Sequence, residues 1–203
     1  MIDTAAFAAR CRGMFVQPTA TLRDHAQPLP PWQIAAREHA LPLAVASAAV
    51  STLLNWAIPP WFLGVEPFGL SLDFVLLHLV MDTAANLFGI LLVACVVMVF
   101  SRMCAGRPDF GASFVLAALA ATPYCVGKAL VPLPVIGPLA WFAGLIYSLV
   151  LLYRGGLPVL MIPAQNRAKH FALTLLSLLM IGMVAVMALG QWAQSVVGSA
   201  EWQ

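Results

Sequence analysis

The sequence has few charged residues for its length. Asp, Glu, Lys and Arg make up 9% of the 203 residues, whereas apolar residues make up 62%. Soluble proteins average roughly 25% charged and 45–50% apolar residues. So few charges cannot cover the apolar surface of a soluble domain, and the composition therefore predicts a polytopic membrane protein. The net charge of +2 is small, and we predict no binding to nucleic acid.

Catalytic and metal-binding signatures are also missing. The four cysteines, Cys11, Cys95, Cys104 and Cys125, have neither metal-ligand spacing nor the CxxC spacing of a redox pair. The sequence contains no P-loop, no HExxH and no GxSxG motif. The segments between the apolar stretches are too short to fold an active site alone. We therefore expect no enzymatic activity, no cofactor and no metal site.

Long stretches without any charged side chain are what the sequence does have. They cover residues 39–65, 83–101, 110–127, 129–153 and 170–200. A helix of about 20 apolar residues crosses the hydrocarbon core of a bilayer. We therefore predict an all-α membrane protein, a bundle of five transmembrane helices preceded by a short amphipathic cytoplasmic helix. The predicted spans are 36–58, 73–101, 111–131, 138–160 and 170–195.

The basic residues fall on one side of the membrane when the chain is threaded with its N-terminus inside. Nine of the ten Lys and Arg residues then lie inside, and only Lys128 lies outside. The inside residues are Arg10, Arg12, Arg23, Arg37, Arg102, Arg107, Arg154, Arg167 and Lys169. This asymmetry follows the positive-inside rule. It predicts a multi-pass protein of the bacterial inner membrane with a cytoplasmic N-terminus and a periplasmic C-terminus.

These predictions divide the chain into three segments. Residues 1–35 form a cytoplasmic amphipathic segment and a Pro-rich connector, residues 36–195 form the five-helix transmembrane domain, and residues 196–203 form a short outer tail. Within the first segment we predict a helix over 2–17 and an extended chain over 18–34, which is rich in proline. Two placements of the helix are open. It lies in the lipid headgroups, or it packs on the cytoplasmic ends of the protein itself.

The second span carries the most polar side chains. His78, Asp82 and Asn86 are four residues apart and therefore lie along one helix face. An ionisable group inside a span is expensive to bury and marks a candidate functional site. One interpretation is a proton or cation relay, in which His78 and Asp82 exchange a proton. The other is that Asp82 is paired or protonated and stabilises the bundle.

Lys128 is the second exception to the charge pattern. It lies near the outer end of the third span, where its aliphatic stem can reach the headgroups. Alternatively it forms an ion pair with Asp82, since both residues lie in the outer halves of adjacent spans. Ser51, Asn55 and Tyr124 are the other candidate partners of Asp82.

The fourth span carries a face of small residues. Ala140, Gly144 and Ser148 recur every four residues, which is typical of a face where two membrane helices pack closely. Arg154 follows at the inner end of this span. It either reaches for the headgroups or binds a specific anion, and the sequence leaves both interpretations open.

Several apolar patterns recur in a recognisable order over about residues 10–190. They are Met14-Phe15-Val16-Gln17-Pro18-Thr19-Ala20-Thr21-Leu22, Leu41-Pro42-Leu43, Ala121-Thr122-Pro123-Tyr124 with the Pro-rich turn to Gly137, Tyr147-Ser148-Leu149-Val150-Leu151-Leu152-Tyr153 and Gly156-Leu157-Pro158-Val159-Leu160-Met161. We place Pro42 in the first turns of span one, where a missing N–H costs little. In order and spacing the chain resembles the bacterial branch of the Yip1-domain family of five-span membrane proteins.

For its bacterial members the resemblance implies a membrane location and five helices, with no established activity. The chain lacks the Asp-Leu-Tyr-Gly-Pro motif of eukaryotic members, so Rab-GTPase and trafficking roles are not carried over. We expect a non-enzymatic inner-membrane protein that acts as a scaffold, accessory or assembly subunit of membrane complexes or in membrane organisation. Its expected partners are membrane lipids and other membrane-protein subunits or further copies of itself. The alternative is a small transporter or channel that uses the polar face of the second span.

Overall fold

The structure, a computed structural model, describes residues 3–58 and 72–200. These residues form helices and turns, with no strand among them, which confirms the all-α prediction. The helices are α1 (Thr4–Val16), α2 (Pro18–Asp24), α3 (Trp32–Ala35), α4 (Leu41–Ala57), α5 (Leu72–Met103), α6 (Phe110–Ala120), α7 (Thr122–Ala129), α8 (Ile136–Gly155) and α9 (Ala164–Ala200). A π-helical turn, Ala36–Ala40, joins α3 to α4.

Five helical segments are long and apolar enough to cross a membrane, as predicted. They are Trp32–Ala57, Leu72–Met103, Phe110–Ala129, Ile136–Gly155 and Ala164–Ala188. Several bounds differ from the predicted ones. The first segment begins at Trp32 rather than at residue 36, the fourth ends at Gly155 rather than at residue 160, and the fifth begins at Ala164 rather than at residue 170. Helix α9 runs to Ala200 and so includes the first part of the predicted outer tail, 196–203, whose last three residues lie outside the described chain.

The third span is the centre of the bundle. Within its most apolar window, 72% of the residues are buried inside the protein, compared with 22% for the second and fourth spans and 6% for the fifth. This difference in burial places the fifth span at the periphery of the bundle and α6 and α7 at its centre. Because lipid tails are as apolar as leucine, close packing rather than exclusion of water holds such helices together.

The amphipathic segment packs on the protein itself. Met14 of α1 and Leu22 of α2 are fully buried in the same core cluster as Leu116 and Leu151 of the spans. The Tyr147 hydroxyl of α8 donates a hydrogen bond to the Met14 carbonyl oxygen at 3.1 Å. The helix therefore packs on the protein itself, as in the second of the two placements that the sequence left open.

The prediction of an extended chain over 18–34 is wrong for its first part and for its last three residues, which lie in helix α3. Pro18 begins helix α2, which runs to Asp24. Proline suits the first turn of a helix because its fixed φ is helical and the missing N–H would have no partner there. Helix formation places Leu22 in the core, where it is fully buried. This burial explains why the polar sequence that begins at Pro18 is helical rather than extended.

Pro42 lies in the first turn of α4, as predicted, but the helical segment that forms the first span already begins at Trp32, so Pro42 is preceded by helix. A proline here leaves the carbonyl of Glu38 without its usual helical donor. The structure supplies another donor, since Arg10 Nη2 of α1 hydrogen-bonds the Glu38 carbonyl oxygen at 2.7 Å. The π-helical turn Ala36–Ala40 ends two residues before Pro42 and accommodates the irregular hydrogen bonding there.

Candidate functional site

The polar residues of the second and third spans meet in one cluster. Lys128 Nζ, in the last turn of α7, lies 2.5 Å from Asp82 Oδ1 of α5 and forms an ion pair with it. The same ammonium group donates to Asn86 Oδ1 at 2.6 Å. The Lys128 and Asp82 side chains are 23% and 15% exposed, respectively. The structure thus contains the Asp82–Lys128 pair that the sequence offered as one alternative, and adds Asn86 to it.

The ion pair leaves two buried polar atoms without a partner among the described residues. They are Asp82 Oδ2, an acceptor, and Asn86 Nδ2, a donor. Asn86 is 5% exposed as a whole, so water has little access to its amide. A buried polar atom without a hydrogen bond carries a cost of about 1–3 kcal/mol, which an incoming group with complementary hydrogen bonds would relieve.

His78 takes a different partner. A hydrogen bond of 3.0 Å joins His78 Nδ1 to Thr52 Oγ1 of α4, and the ring lies against Phe74. Asp82 is occupied by Lys128 instead. The predicted face of His78, Asp82 and Asn86 is therefore divided between two neighbouring helices. Sequence reasoning missed Thr52, although its position next to Ser51 on the polar side of the first span was a usable signal.

The small-residue face of the fourth span packs against α7. A side-chain carbon at Gly144 would collide with the Pro123 carbonyl oxygen, and one at Gly127 would collide with the Ala140 carbonyl oxygen. Backbone meets backbone here, as in other membrane helix pairs with small residues. The third member of the face, Ser148, accepts a hydrogen bond from the Tyr124 backbone N–H at 3.0 Å.

That hydrogen bond follows from the helix break at Pro123. Helix α6 ends at Ala120 and α7 begins at Thr122, so the Tyr124 N–H lies in a first helical turn and lacks an intrahelical acceptor. The Ser148 hydroxyl of α8 supplies one. Ser148 thus acts as a helix cap provided by a neighbouring span, which gives the small-residue face a polar function besides close packing.

The first span holds α7 from another side. Ser47 Oγ donates to the Cys125 carbonyl oxygen at 2.8 Å, and His39 Nε2 is 3.1 Å from Thr122 Oγ1. Both contacts are buried. Helix α7 therefore presents Lys128 to Asp82 from a position that two neighbouring helices fix.

A groove of about 530 Å³ opens beside the ion pair. Asn86 and Lys128 contribute to its lining, which is otherwise mainly apolar. Gly89 of α5 and Gly182 of α9 also line it, and no atom of the described residues lies within 4 Å of where a Cβ of either glycine would stand. The groove therefore joins exposed helix backbone to the buried amide of Asn86.

These features define a multi-pass α-helical membrane protein, with five candidate spans and an intramembrane ion pair between the second and third. The Yip1 domain matches residues 12–187, nearly the whole chain. The chain belongs to the Yip1 domain family, as the sequence patterns led us to expect. No significant match was found among curated proteins or among solved structures.

Proposed function

We propose that this protein is a non-enzymatic scaffold or assembly subunit of the inner membrane that works by lateral contact with other membrane proteins. Its N-terminus is cytoplasmic and its C-terminus periplasmic. The observation that carries the proposal is the groove, in which open helix backbone at Gly89 and Gly182 adjoins Asn86, whose Nδ2 donor has no partner among the described residues.

The groove suits a transmembrane helix of a partner protein. Helices associate in membranes where small residues let backbones approach and where polar side chains hydrogen-bond across the contact. Gly89 and Gly182 supply the first condition, and Asn86 Nδ2 supplies a donor for the second. We therefore expect the partner helix to carry a hydrogen-bond acceptor at the depth of Asn86.

The proposed orientation is supported by the loops at the basic end of the bundle. The Arg107 backbone N–H donates to the Leu160 carbonyl oxygen at 2.7 Å, and Asn166 Nδ2 donates to the Cys104 carbonyl oxygen at 3.1 Å. The connections between the second and third spans and between the fourth and fifth spans thus meet at one end. Basic residues lie in or next to both, Arg102 and Arg107 at the first and Arg154, Arg167 and Lys169 at the second. Short basic loops favour the cytoplasmic side.

Substitutions in the groove test the lateral contact. Gly89→Leu and Gly182→Leu add side chains to the groove at positions where a Cβ has no described atom within 4 Å, so the fold is expected to be kept. Gly190→Leu is the matched control, because Gly190 is equally open on α9 but lies outside the groove. Crosslinking in membranes and native purification are expected to show a complex for the wild type and for Gly190→Leu. Both groove variants are expected to lose it.

Two outcomes would overturn this proposal. A wild-type protein that is strictly monomeric and without partners after gentle extraction removes the scaffold function. Groove variants that keep the complex remove the groove as the contact. If the captured partner is a second copy of the chain, the contact is self-association.

A small transporter or channel is the second candidate function. It draws support from Asp82 Oδ2 and Asn86 Nδ2, which are buried without a partner in the described part of the chain and would suit a passing cation or hydroxyl compound. Proton and cation flux into proteoliposomes tests it with wild type and Asp82→Asn. Flux that Asp82→Asn leaves unchanged would remove this candidate.

A further inference from the structure

A second cavity lies at the basic end of the bundle, and three arginines line it. It has a volume of about 560 Å³ and is lined by Arg23, Arg154 and Arg167, among other residues. The three come from different elements. Arg23 lies in the last turn of α2, Arg154 in the last turn of α8 and Arg167 near the start of α9.

None of these arginines forms an ion pair with a carboxylate among the described residues. The ion pairs in that part of the chain are Arg10–Glu38, Arg37–Glu38, Arg107–Asp109 and Lys128–Asp82. The Arg167 Nε atom is buried with no hydrogen-bond acceptor over residues 3–58 and 72–200, while its guanidinium lies 5.9 Å from the centre of the Tyr153 ring. Three like charges around one cavity repel each other, and an anion placed between them would relieve that repulsion.

The cavity is also amphipathic. Ala26, Leu157 and Met161 supply apolar surface beside the guanidinium groups. Arginine forms paired hydrogen bonds with phosphate oxygens, and basic pockets at the cytoplasmic ends of spans bind lipid headgroups. A free phosphate would gain no favourable contact with these apolar side chains, whereas the glycerol and first acyl carbons of a phospholipid would pack on them.

We propose that this cavity binds the phosphate group of an anionic phospholipid through Arg23, Arg154 and Arg167. Because Arg23 belongs to α2, the bound lipid ties the amphipathic segment to the inner ends of the fourth and fifth spans. The proposal is independent of the groove and of the scaffold function.

Native mass spectrometry of the purified protein with added phosphatidylglycerol or phosphatidylcholine tests the site. We expect one phosphatidylglycerol to be retained in preference to phosphatidylcholine. Arg154→Gln and Arg167→Gln are each expected to weaken its binding about ten-fold, the loss expected for one charge-assisted interaction. Arg102→Gln is the matched control. Arg102 is exposed and lies outside the cavity, and its substitution removes the same charge.

A further variant keeps the test decisive if the arginine variants fold poorly. Gln27→Glu places a carboxylate in the cavity lining and leaves all three arginines in place, and it is expected to lower phosphatidylglycerol binding while the protein stays folded. Equal binding of the two lipids, or an equal loss in Arg102→Gln, would overturn the proposal. Displacement of the lipid by millimolar inorganic phosphate would show that the site takes a free anion, which also overturns it.

Discussion

Removing the charge of Asp82 or Lys128 is expected to destabilise the protein, and removing both is expected to cost less than the sum. The two charged groups are 2.5 Å apart and 15% and 23% exposed, so each would be left largely buried without its partner. Breaking a buried ion pair by removing one partner costs about 3–5 kcal/mol, whereas exposed pairs contribute about 0–1 kcal/mol. The partial exposure here places the expected cost of each single substitution at about 2–4 kcal/mol.

Asp82→Asn and Lys128→Met are the appropriate changes because each keeps most of the side chain's volume. Unfolding of the wild type, both single variants and the double variant is followed by circular dichroism during titration with a denaturing detergent. We expect a coupling free energy of about 2 kcal/mol, since the double variant has no uncompensated charge. Additive effects of the two substitutions would refute the ion pair as a stabilising contact.

The pair Arg107–Asp109 provides a matched control for this cycle. Its charged atoms are 2.9 Å apart, but its side chains are 42% and 36% exposed. Asp109→Asn retains a side-chain oxygen for capping α6, which begins at Phe110. The cycle of Arg107→Met and Asp109→Asn is therefore expected to give a coupling below about 1 kcal/mol. Equal coupling in both cycles would show that burial in the bundle is not the source of the effect.

Two further predictions concern the helix contact at α7 and the amphipathic segment. Gly144→Leu forces a side chain onto the Pro123 carbonyl and is expected to lower the free energy of unfolding by about 1–3 kcal/mol. Gly182→Leu is the control, and its free energy of unfolding is expected to stay within about 0.5 kcal/mol of wild type. Equal stability of the two variants would contradict the close packing of α7 and α8. Burial raises the pKa of the Cys11 thiol above its ordinary value of 9.0, against a smaller lowering by Arg10. In a variant whose only cysteine is Cys11, maleimide labelling at neutral pH is therefore expected to be slower in the folded than in the detergent-unfolded protein. The ratio of the two labelling rates should fall as the pH rises past 9.0, because the unfolded thiol is then already ionised while the folded thiol continues to ionise. Equal labelling rates at neutral pH would refute the raised pKa of Cys11.

The spans were predictable because their signal is local. Each is a continuous apolar stretch, and bilayer thickness sets its length. The Asp82–Lys128 pair was within reach for a similar reason, since adjacent antiparallel spans bring residues of equal depth together. The partner of His78 was not, because depth does not determine the rotation of a helix about its own axis, and it is rotation that brings His78 to Thr52.

The start of the first span was missed for a tertiary reason. Pro42 was interpreted as a residue of the first helical turns because a proline farther inside leaves a carbonyl without a donor. In the structure that donor is Arg10, which is 28 residues away from Glu38 in the sequence. The same kind of contact explains the helix at Pro18, where burial of Leu22 outweighs a sequence that otherwise favours an extended chain.

The arrangement around α7 bears on which of the two candidate functions is favoured. Helix α7 has eight residues, too few to be stable alone, and α4, α5 and α8 each hold it by a polar contact. Lys128 and Asp82, the charges that a transport route would need, neutralise each other in holding this helix. Asn86 lines a groove that also exposes helix backbone at Gly89 and Gly182, which suits contact with a neighbour in the membrane better than passage across it. Asp82→Asn is therefore expected to change the stability and assembly of the protein more than any flux through it.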